Sequence, residues 1–265
     1  MAQDKGTSPA ATALRTSDLN IRNYGVTIDA VAAQWFRKPI QNLDVRPRGL
    51  YSPTADGACE VDIPACGLIG FVKPHPERPN HSVVAREKIA SDLGYVLGLP
   101  VSPVVVRAPM AGWPDFTALS LNCLRSGRLW GAGGAAHIER LAPGLESLRI
   151  FWTWIGDVDH NGHGANLSWQ IENDAGHVSS FDHSYSLGHD GAHPATIPAC
   201  QGYGTATMAE VQAARETVMD CIEAMPREAI ETIVCRLGWL LTEPEQKRIL
   251  RILEERRGEL RRLIG

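Results

Sequence analysis

The chain has 265 residues, of which 44% are hydrophobic and 21% charged, and its formal net charge at pH 7 is −4. A chain of this length can bury a sizeable core, in one two-lobed domain or in two small ones. The slightly acidic balance argues against a general affinity for nucleic acid or for an anionic membrane surface. The six cysteines form no CxxC pair, which argues against a zinc ribbon or a redox motif.

The first segment of the chain, residues 1–22, is polar and rich in small side chains. It lacks the apolar core of a signal peptide, and no run in the sequence reaches the roughly 18 apolar residues that a membrane span needs. We therefore expect residues 1–22 to form a disordered tail and the protein to be cytoplasmic, without a transmembrane segment.

Residues 23–110 are predicted to form a small β-rich lobe that carries one helix. Its first part, "YGVTIDAVAAQWFRKPI", is predicted to be a strand and a short helical turn. A later strand, "CGLIGFVKPHP", is apolar and places Lys73 directly before a proline. The segment "NHSVVAREKIASDLGYVLGLP" has the apolar spacing of a helix, capped by Asn80 or Ser82 and ended by Gly98. A further strand, "VSPVVVRAP", follows it.

Residues 111–265 are predicted to be mostly helical. One helix is expected near 144–156, and further helical segments occupy the C-terminal part of the chain. Between them, "LSWQIEND" and "GHVSSF" are predicted to be the arms of a short hairpin. The arginines and lysines of the last helix are interpreted as a solvated face.

The first pair of residues that indicates a chemical function is Lys73 and Glu87. A lone lysine at a strand end, or a lone glutamate on a helix, is typical of a solvated position. A strand lysine followed by a glutamate on the next helix is, however, the ion pair that protein kinases use to position ATP. The strand–helix–strand order therefore indicates a phosphate-binding lysine that is braced by a carboxylate.

The segment "GDVDHNGHGANLSW" concentrates polar side chains between two tryptophan-containing apolar runs. Its start matches a calcium-binding loop, but Ser168 stands at the twelfth position, where such a loop needs a bidentate glutamate. A zinc site would use His160 and His163 with an aspartate, a spacing that leaves the third ligand unspecified.

The same segment also fits phosphoryl transfer, which needs an aspartate to accept a hydroxyl proton and oxygen ligands for a metal. Asp159 is the candidate base and Asn166 the first candidate metal ligand. After the predicted hairpin, Asp182 is the second ligand, and the hairpin would bring Asn166 and Asp182 to neighbouring strand ends. Hard oxygen ligands without cysteine suit Mg²⁺ or Mn²⁺.

Taken together, these motifs resemble a known family. "GDVDHNGHGANLSW" followed by "SSFDHSYSLG" resembles the catalytic and metal-binding segments of the HipA-like kinases and of the type II phosphatidylinositol 4-kinases. "VVAREKIASDLGYVLGLPVSPVVV" is similar to the HipA-like helix with its glutamate, and "GFVKP" to the strand with the ATP-positioning lysine. The resemblance runs from about residue 45 to 190 in the order of the family.

The resemblance implies an α+β, two-lobed protein-kinase-like fold, with a small β-rich N-lobe over 23–110 and a mostly helical C-lobe over 111–265. It implies ATP and Mg²⁺ in the cleft between the lobes. By this resemblance, Lys73 would bind the ATP phosphates and Glu87 would brace the lysine. Asp159 would be the catalytic base, and Asn166 and Asp182 would bind the metal.

The chain departs from the family pattern in the catalytic loop. Family members place the asparagine five residues after the aspartate, and a gap of five before Asn166 would require an aspartate at position 161, where Asn161 stands. Either the loop after Asp159 carries an insertion, or Asp157 is the base. His183 follows Asp182, as in the lipid-kinase-like branch and unlike typical protein kinases.

The loop that would cover the phosphates is also not a clear glycine-rich motif. Its candidate is "YSPTADGACEV", with Ser52, Thr54 and Gly57 as the expected phosphate contacts. The acceptor would be chosen by the C-lobe and by the glycine- and proline-rich segment 190–205, which lies where an activation loop would run and which a partner could order.

The predicted function is an ATP-dependent kinase that phosphorylates a hydroxyl, first of all serine or threonine of an unidentified protein substrate. The alternatives are a phosphatidylinositol or small-molecule kinase, a pseudokinase or nucleotide-binding module that works with a regulatory partner, and another nucleotide-utilising transferase. A further alternative is a metal-dependent hydrolase that uses Asp157, Asp159, His160 and His163. No nucleic-acid partner is expected.

Overall fold

A computed structural model of the protein describes residues 28–50, 57–74, 76–77, 79–122, 128–129, 133–160, 166–172, 175–188 and 208–264. The predicted tail, residues 1–22, lies outside these residues. Within them the chain forms one six-stranded and one three-stranded sheet, together with helices that lie before, between and after the strands.

The first part of the chain forms the six-stranded sheet. Its strand order is β1-β5-β6-β4-β3-β2, and all its neighbouring strands are antiparallel except β1 and β5. The strands are β1 (Ile40–Gln41), β2 (Arg46–Pro47), β3 (Cys59–Ile63), β4 (Leu68–Lys73), β5 (Val104–Arg107) and β6 (Thr117–Leu121). β6 lies beyond residue 110, where the sequence places the end of the first lobe. That boundary stays a prediction, and a division that kept this sheet whole would fall after β6.

A helix, α1 (Ile28–Arg37), precedes the sheet. The sequence predicts a strand and a short helical turn in this region and a single helix in the lobe, whereas Ile28–Arg37 is helical throughout. The helix forms because Val31 and Trp35, four residues apart on one face, are both buried against the apolar side chains of the sheet. α1 is therefore an addition to the predicted architecture.

The predicted helix of the first lobe is α2 (His81–Leu97). Asn80 caps it by accepting a hydrogen bond from the amide of Val83 at 3.2 Å, and Gly98 ends it in the left-handed conformation with φ 70°. The predicted cap and the predicted end are both confirmed. α2 is buried on most of its faces, because it packs against the sheet on one side and the C-terminal helices on another.

The second part of the chain is mostly helical, as predicted. Its central element, α3, starts earlier than the predicted helix near 144–156 and is buried over most of its length. A three-stranded sheet with the order β7-β8-β9 contains the predicted hairpin as β8 and β9. The elements are β7 (Arg128–Leu129), α3 (Ile138–Ile155), β8 (Leu167–Glu172), β9 (Ala175–Ser180), α4 (Met208–Glu223), α5 (Arg227–Cys235) and α6 (Glu243–Ile264).

Two apolar clusters hold these elements together. The larger joins α2, α3, the β8–β9 hairpin and the C-terminal helices, and the smaller joins α1 to the six-stranded sheet. Trp152 and Trp154 of α3 are fully buried in the larger cluster. The class is therefore α+β, with a β-rich first part and a helical second part. Among the described residues, no helix combines the length and the apolar character needed to cross a bilayer.

Candidate active site

Lys73 ends β4 and is almost completely buried, with 2% of its surface exposed. Its strand lies close to β6 because Gly70 has no side chain there. A Cβ atom on Gly70 would lie 2.6 Å from the carbonyl oxygen of Ser120, which is too close for any other residue. The strand that carries the lysine is thus packed tightly into the middle of the sheet.

Two carboxylates from different elements contact the Lys73 ammonium group. Its Nζ atom lies 2.6 Å from Oε1 of Glu87 on α2, so the structure forms the predicted strand–helix ion pair. It also forms an ion pair with Asp182, two residues after the end of β9. Lys73 and Glu87 are buried, whereas the side chain of Asp182 is 28% exposed. The cluster of Lys73, Glu87 and Asp182 therefore has one open side, at Asp182.

Burial and ion pairing shift the pKa of all three groups. Burial raises the pKa of Glu87 to about 7, although Lys73 opposes the change. Burial alone would lower the pKa of Lys73, but the charges of Glu87 and Asp182 raise it above its ordinary value. Burial likewise opposes ionisation of Asp182, yet Lys73 and a hydrogen bond from Ser184 lower its pKa to about 2. Lys73 is therefore a permanent cation in this site.

Asp182 has an unusual backbone conformation, with φ 65° in the left-handed region. This conformation costs a residue other than glycine roughly 1 kcal/mol, and aspartate is among the side chains that adopt it most readily. The hydroxyl group of Ser184 donates to Oδ1 of Asp182 at 2.8 Å, and Lys73 binds the same oxygen. These contacts hold the carboxylate in the cleft.

Asn166 and Asp182 come together at the end of the hairpin. Leu167 of β8 pairs with Ser180 of β9, and the amide of Phe181 donates to the carbonyl oxygen of Asn166 at 3.1 Å. Asp182 is the next residue along the chain. The two predicted metal ligands thus lie at neighbouring strand ends, as expected from the hairpin.

Asp159 is joined to the same group. The side-chain nitrogen of Asn166 donates to Oδ2 of Asp159 at 2.6 Å. This bond does not involve the side-chain oxygen of Asn166 or Oδ1 of Asp159. Asp159 is partly exposed, so an incoming hydroxyl group could reach its carboxylate.

Asp157, the other candidate for the base, is only 1% exposed. Its Oδ1 atom accepts hydrogen bonds from the amides of Asp159 and His160, and its Oδ2 atom lies 2.8 Å from Nδ1 of His183. Burial alone would raise the pKa of Asp157, but the two histidines hold it well below its ordinary range. A carboxylate with both oxygens engaged and no access to solvent cannot accept a proton from a substrate.

The two histidines complete a closed ring of close polar contacts around Asp157. The hydroxyl group of Ser180 lies 3.0 Å from Nε2 of His160 and 3.2 Å from Nε2 of His183, and it accepts a hydrogen bond from Trp152. The rings of His160 and His183 stack at 4.8 Å. Sequence reasoning missed this role of Ser180 and His183; the available signal was the position of His183 beside Asp182.

Among the described residues, one set of histidine and carboxylate side chains brings its ligand atoms close together, and a second set of oxygen ligands was predicted from the sequence. Asp157, His160 and His183 have ligand atoms within 4.8 Å of one another, but they are fully buried and are bonded to each other. Asp159, Asn166 and Asp182 offer oxygen atoms at the open side of the cleft, the ligand type that Mg²⁺ prefers. The second set is the more accessible of the two, since all three of its residues are only partly buried.

Several predicted features fall elsewhere. Ser52, Thr54, Asn161 and His163, and the whole of the segment 190–205, lie outside the described residues. The calcium-loop alternative is excluded, because Ser168 is part of strand β8 and no helix follows the loop.

Neither a family model nor a curated protein matches the sequence. Among solved structures, the chain is similar to a Helicobacter pylori proinflammatory kinase, CtkA. The TM-score is 0.57 at 11% sequence identity, over 83% of this chain and 94% of the other. At this identity the similarity shows the fold alone. The chain therefore has the predicted two-lobed, kinase-like α+β fold.

Proposed function

We propose that the protein is an ATP-dependent kinase of the HipA-like kind, which transfers the γ-phosphoryl group of ATP to a serine or threonine hydroxyl of a protein. The observation that carries this proposal is the ion cluster of Lys73 with Glu87 and Asp182. It brings a permanent cation from β4, its brace from α2 and a candidate metal ligand from the segment after β9 together. In a kinase-like fold this is the combination that phosphoryl transfer requires.

The Lys73 ammonium group is the part of the cluster that suits the phosphates of ATP. Lys73 would bind phosphate oxygens, and the buried Glu87 would keep the lysine in place. A phosphate would add negative charge next to Lys73. This charge would replace part of the negative charge that Asp182 supplies to the lysine in the free protein. Asp182 could then move from the lysine to a metal ion without leaving Lys73 unpaired.

Mg²⁺ fits the oxygen atoms at the open side. Asp182 and the side-chain oxygen of Asn166 would hold the ion, and the bond from Asn166 to Asp159 keeps the amide in a fixed orientation. Bound Mg²⁺ would neutralise charge on the phosphates. Asp159 would accept the proton of the acceptor hydroxyl, since it is the aspartate of the loop that solvent reaches.

The metal-dependent hydrolase is not supported by the geometry. Two of its four residues, Asp157 and His160, are fully buried and belong to the closed ring. A hydrolytic metal needs an open coordination position for water, and these residues offer none.

The test is transfer of the γ-phosphoryl group from labelled ATP in the presence of Mg²⁺, to the protein itself and to a panel of Ser/Thr peptides. We expect transfer by the wild type and its loss, by at least about 100-fold, in Asp159→Asn and Asp182→Asn. Asp62→Asn is the matched control, because Asp62 is an exposed carboxylate on β3. Wild-type activity in Asp159→Asn would contradict the assignment of the base. MgATP binding without any transfer would identify a nucleotide-binding module instead.

A further inference from the structure

A second buried ion cluster lies on the back of α2, away from the cleft. Nζ of Lys88 is 2.6 Å from Oδ1 of Asp92, and Arg236, at the end of α5, forms an ion pair with the other carboxylate oxygen of Asp92. The side chains of Lys88 and Asp92 are 0% and 2% exposed, and that of Arg236 is 20% exposed. One carboxylate thus joins two cations from different parts of the chain.

Both cations of this cluster also bind the last turn of α1. Lys88 donates to the carbonyl oxygen of Trp35 at 3.1 Å, and Arg236 donates to that of Phe36 at 3.0 Å. The guanidinium group of Arg236 additionally lies 4.5 Å from the centre of the Phe36 ring. The final carbonyl groups of a helix lack partners within the helix and attract cations. The cluster therefore connects α1, α2 and α5.

The same helix carries both ion clusters. Glu87 and Lys88 are consecutive residues of α2, and they point about 100° apart around the helix axis. Glu87 reaches Lys73 in the cleft, whereas Lys88 reaches Asp92 and α1 behind it. A shift of α2 relative to α1 and α5 would consequently move the Glu87 carboxylate away from Lys73.

We propose that Arg236 is a positioning residue for the nucleotide site: it ties α2 to α1 and α5, and so keeps Glu87 in contact with Lys73. The expected effect on ATP use rests on the proposed function, whereas the expected effect on the position of α2 does not. Arg236 is the member of the cluster that can be tested. Its removal leaves Lys88 and Asp92 as a neutral pair, whereas removal of Asp92 would leave a buried lysine and a partly buried arginine facing each other and would threaten folding.

The structural part is tested by amide hydrogen exchange in Arg236→Gln, which keeps most of the side-chain length but removes the charge. We expect exchange to increase about tenfold across α2 and not in the interior of α3. Arg227→Gln is the control, since Arg227 starts α5, is exposed, and forms an ion pair with Glu231 one turn further along. Equal exchange in α2 for the two variants, or an equal increase in α2 and α3, would overturn the proposal.

The functional part is tested by a double-mutant cycle with Glu87→Gln, measured as kcat/KM for ATP. Arg236→Gln should lower this value about tenfold, and Arg236→Lys by less, because lysine keeps the charge but cannot bind both Asp92 and Phe36. If Arg236 acts through Glu87, the double variant is no worse than Glu87→Gln alone. Effects that multiply would overturn the proposal. A wild type without ATP turnover would refute the proposed kinase, while hydrogen exchange would still decide the role of Arg236.

Discussion

Glu87 should make the stability of the nucleotide-free protein depend on pH in a way that one substitution removes. Burial raises the pKa of this carboxyl group from 4.5 to about 7. The folded state therefore binds the proton more tightly than the unfolded chain does. The stability that this proton contributes is fully present below pH 4.5 and is lost as the pH rises through 7.

The size of the effect follows from the shift itself. At about 1.4 kcal/mol per pH unit, the rise from 4.5 to about 7 corresponds to roughly 3 kcal/mol of unfolding free energy. Glutamine at this position cannot titrate. As the pH rises over this range, the wild type should therefore lose roughly 3 kcal/mol of unfolding free energy relative to Glu87→Gln.

Urea unfolding at closely spaced pH values between 5 and 8 measures this difference. The pKa of Asp182, which lies near 2, and that of Lys73, which is raised, fall outside the window. Other groups that titrate in both proteins cancel in the comparison. Glu60→Gln is the matched control, because Glu60 is an exposed glutamate on β3, and its profile should run parallel to the wild type. Parallel profiles for Glu87→Gln as well would refute the argument that burial dominates at this site.

Two further predictions concern the scaffold of the site. Asp157→Asn should lower the unfolding free energy, measured by urea unfolding, by about 3–5 kcal/mol, because two buried histidines lose their carboxylate partner. A loss below about 1 kcal/mol would show that the closed ring contributes little to stability. Gly70→Ala should destabilise by about 1–3 kcal/mol through contact with the Ser120 carbonyl, whereas Gly49→Ala, with open space around it, should not. Equal thermal stability of the two alanine variants would contradict the close packing of β4 against β6.

The predictions that succeeded from sequence rest on local signals. The apolar spacing, cap and terminal glycine of α2 lie within one segment, and they determine the helix and its ends. The hairpin that joins Asn166 and Asp182 is equally local, since both of its strands and its turn are contiguous in the chain. The Lys73–Glu87 pair follows because a strand–helix connection leaves few other ways to bury both side chains.

The features that escaped prediction depend on contacts between distant parts of the chain. The proposal of Asp159 rather than Asp157 as the base is supported by His183, which contacts Asp157 from the far side of the hairpin. No spacing within the loop itself distinguishes the two aspartates. The same holds for Arg236, whose partners Asp92 and Phe36 are far away in sequence. α1 was underestimated because its helix is stabilised by packing of Trp35 on the sheet, a contact that the local sequence does not reveal.

Titration of ATP into the protein, with and without Mg²⁺, tests most directly whether the Lys73 cluster is a nucleotide site. The wild type should bind ATP more tightly with Mg²⁺ than without it. Asp182→Asn should lose this dependence on Mg²⁺ but still bind ATP through Lys73, and Lys73→Met should lose binding under both conditions. Wild-type affinity in Lys73→Met, or the full effect of Mg²⁺ in Asp182→Asn, would contradict the proposed site.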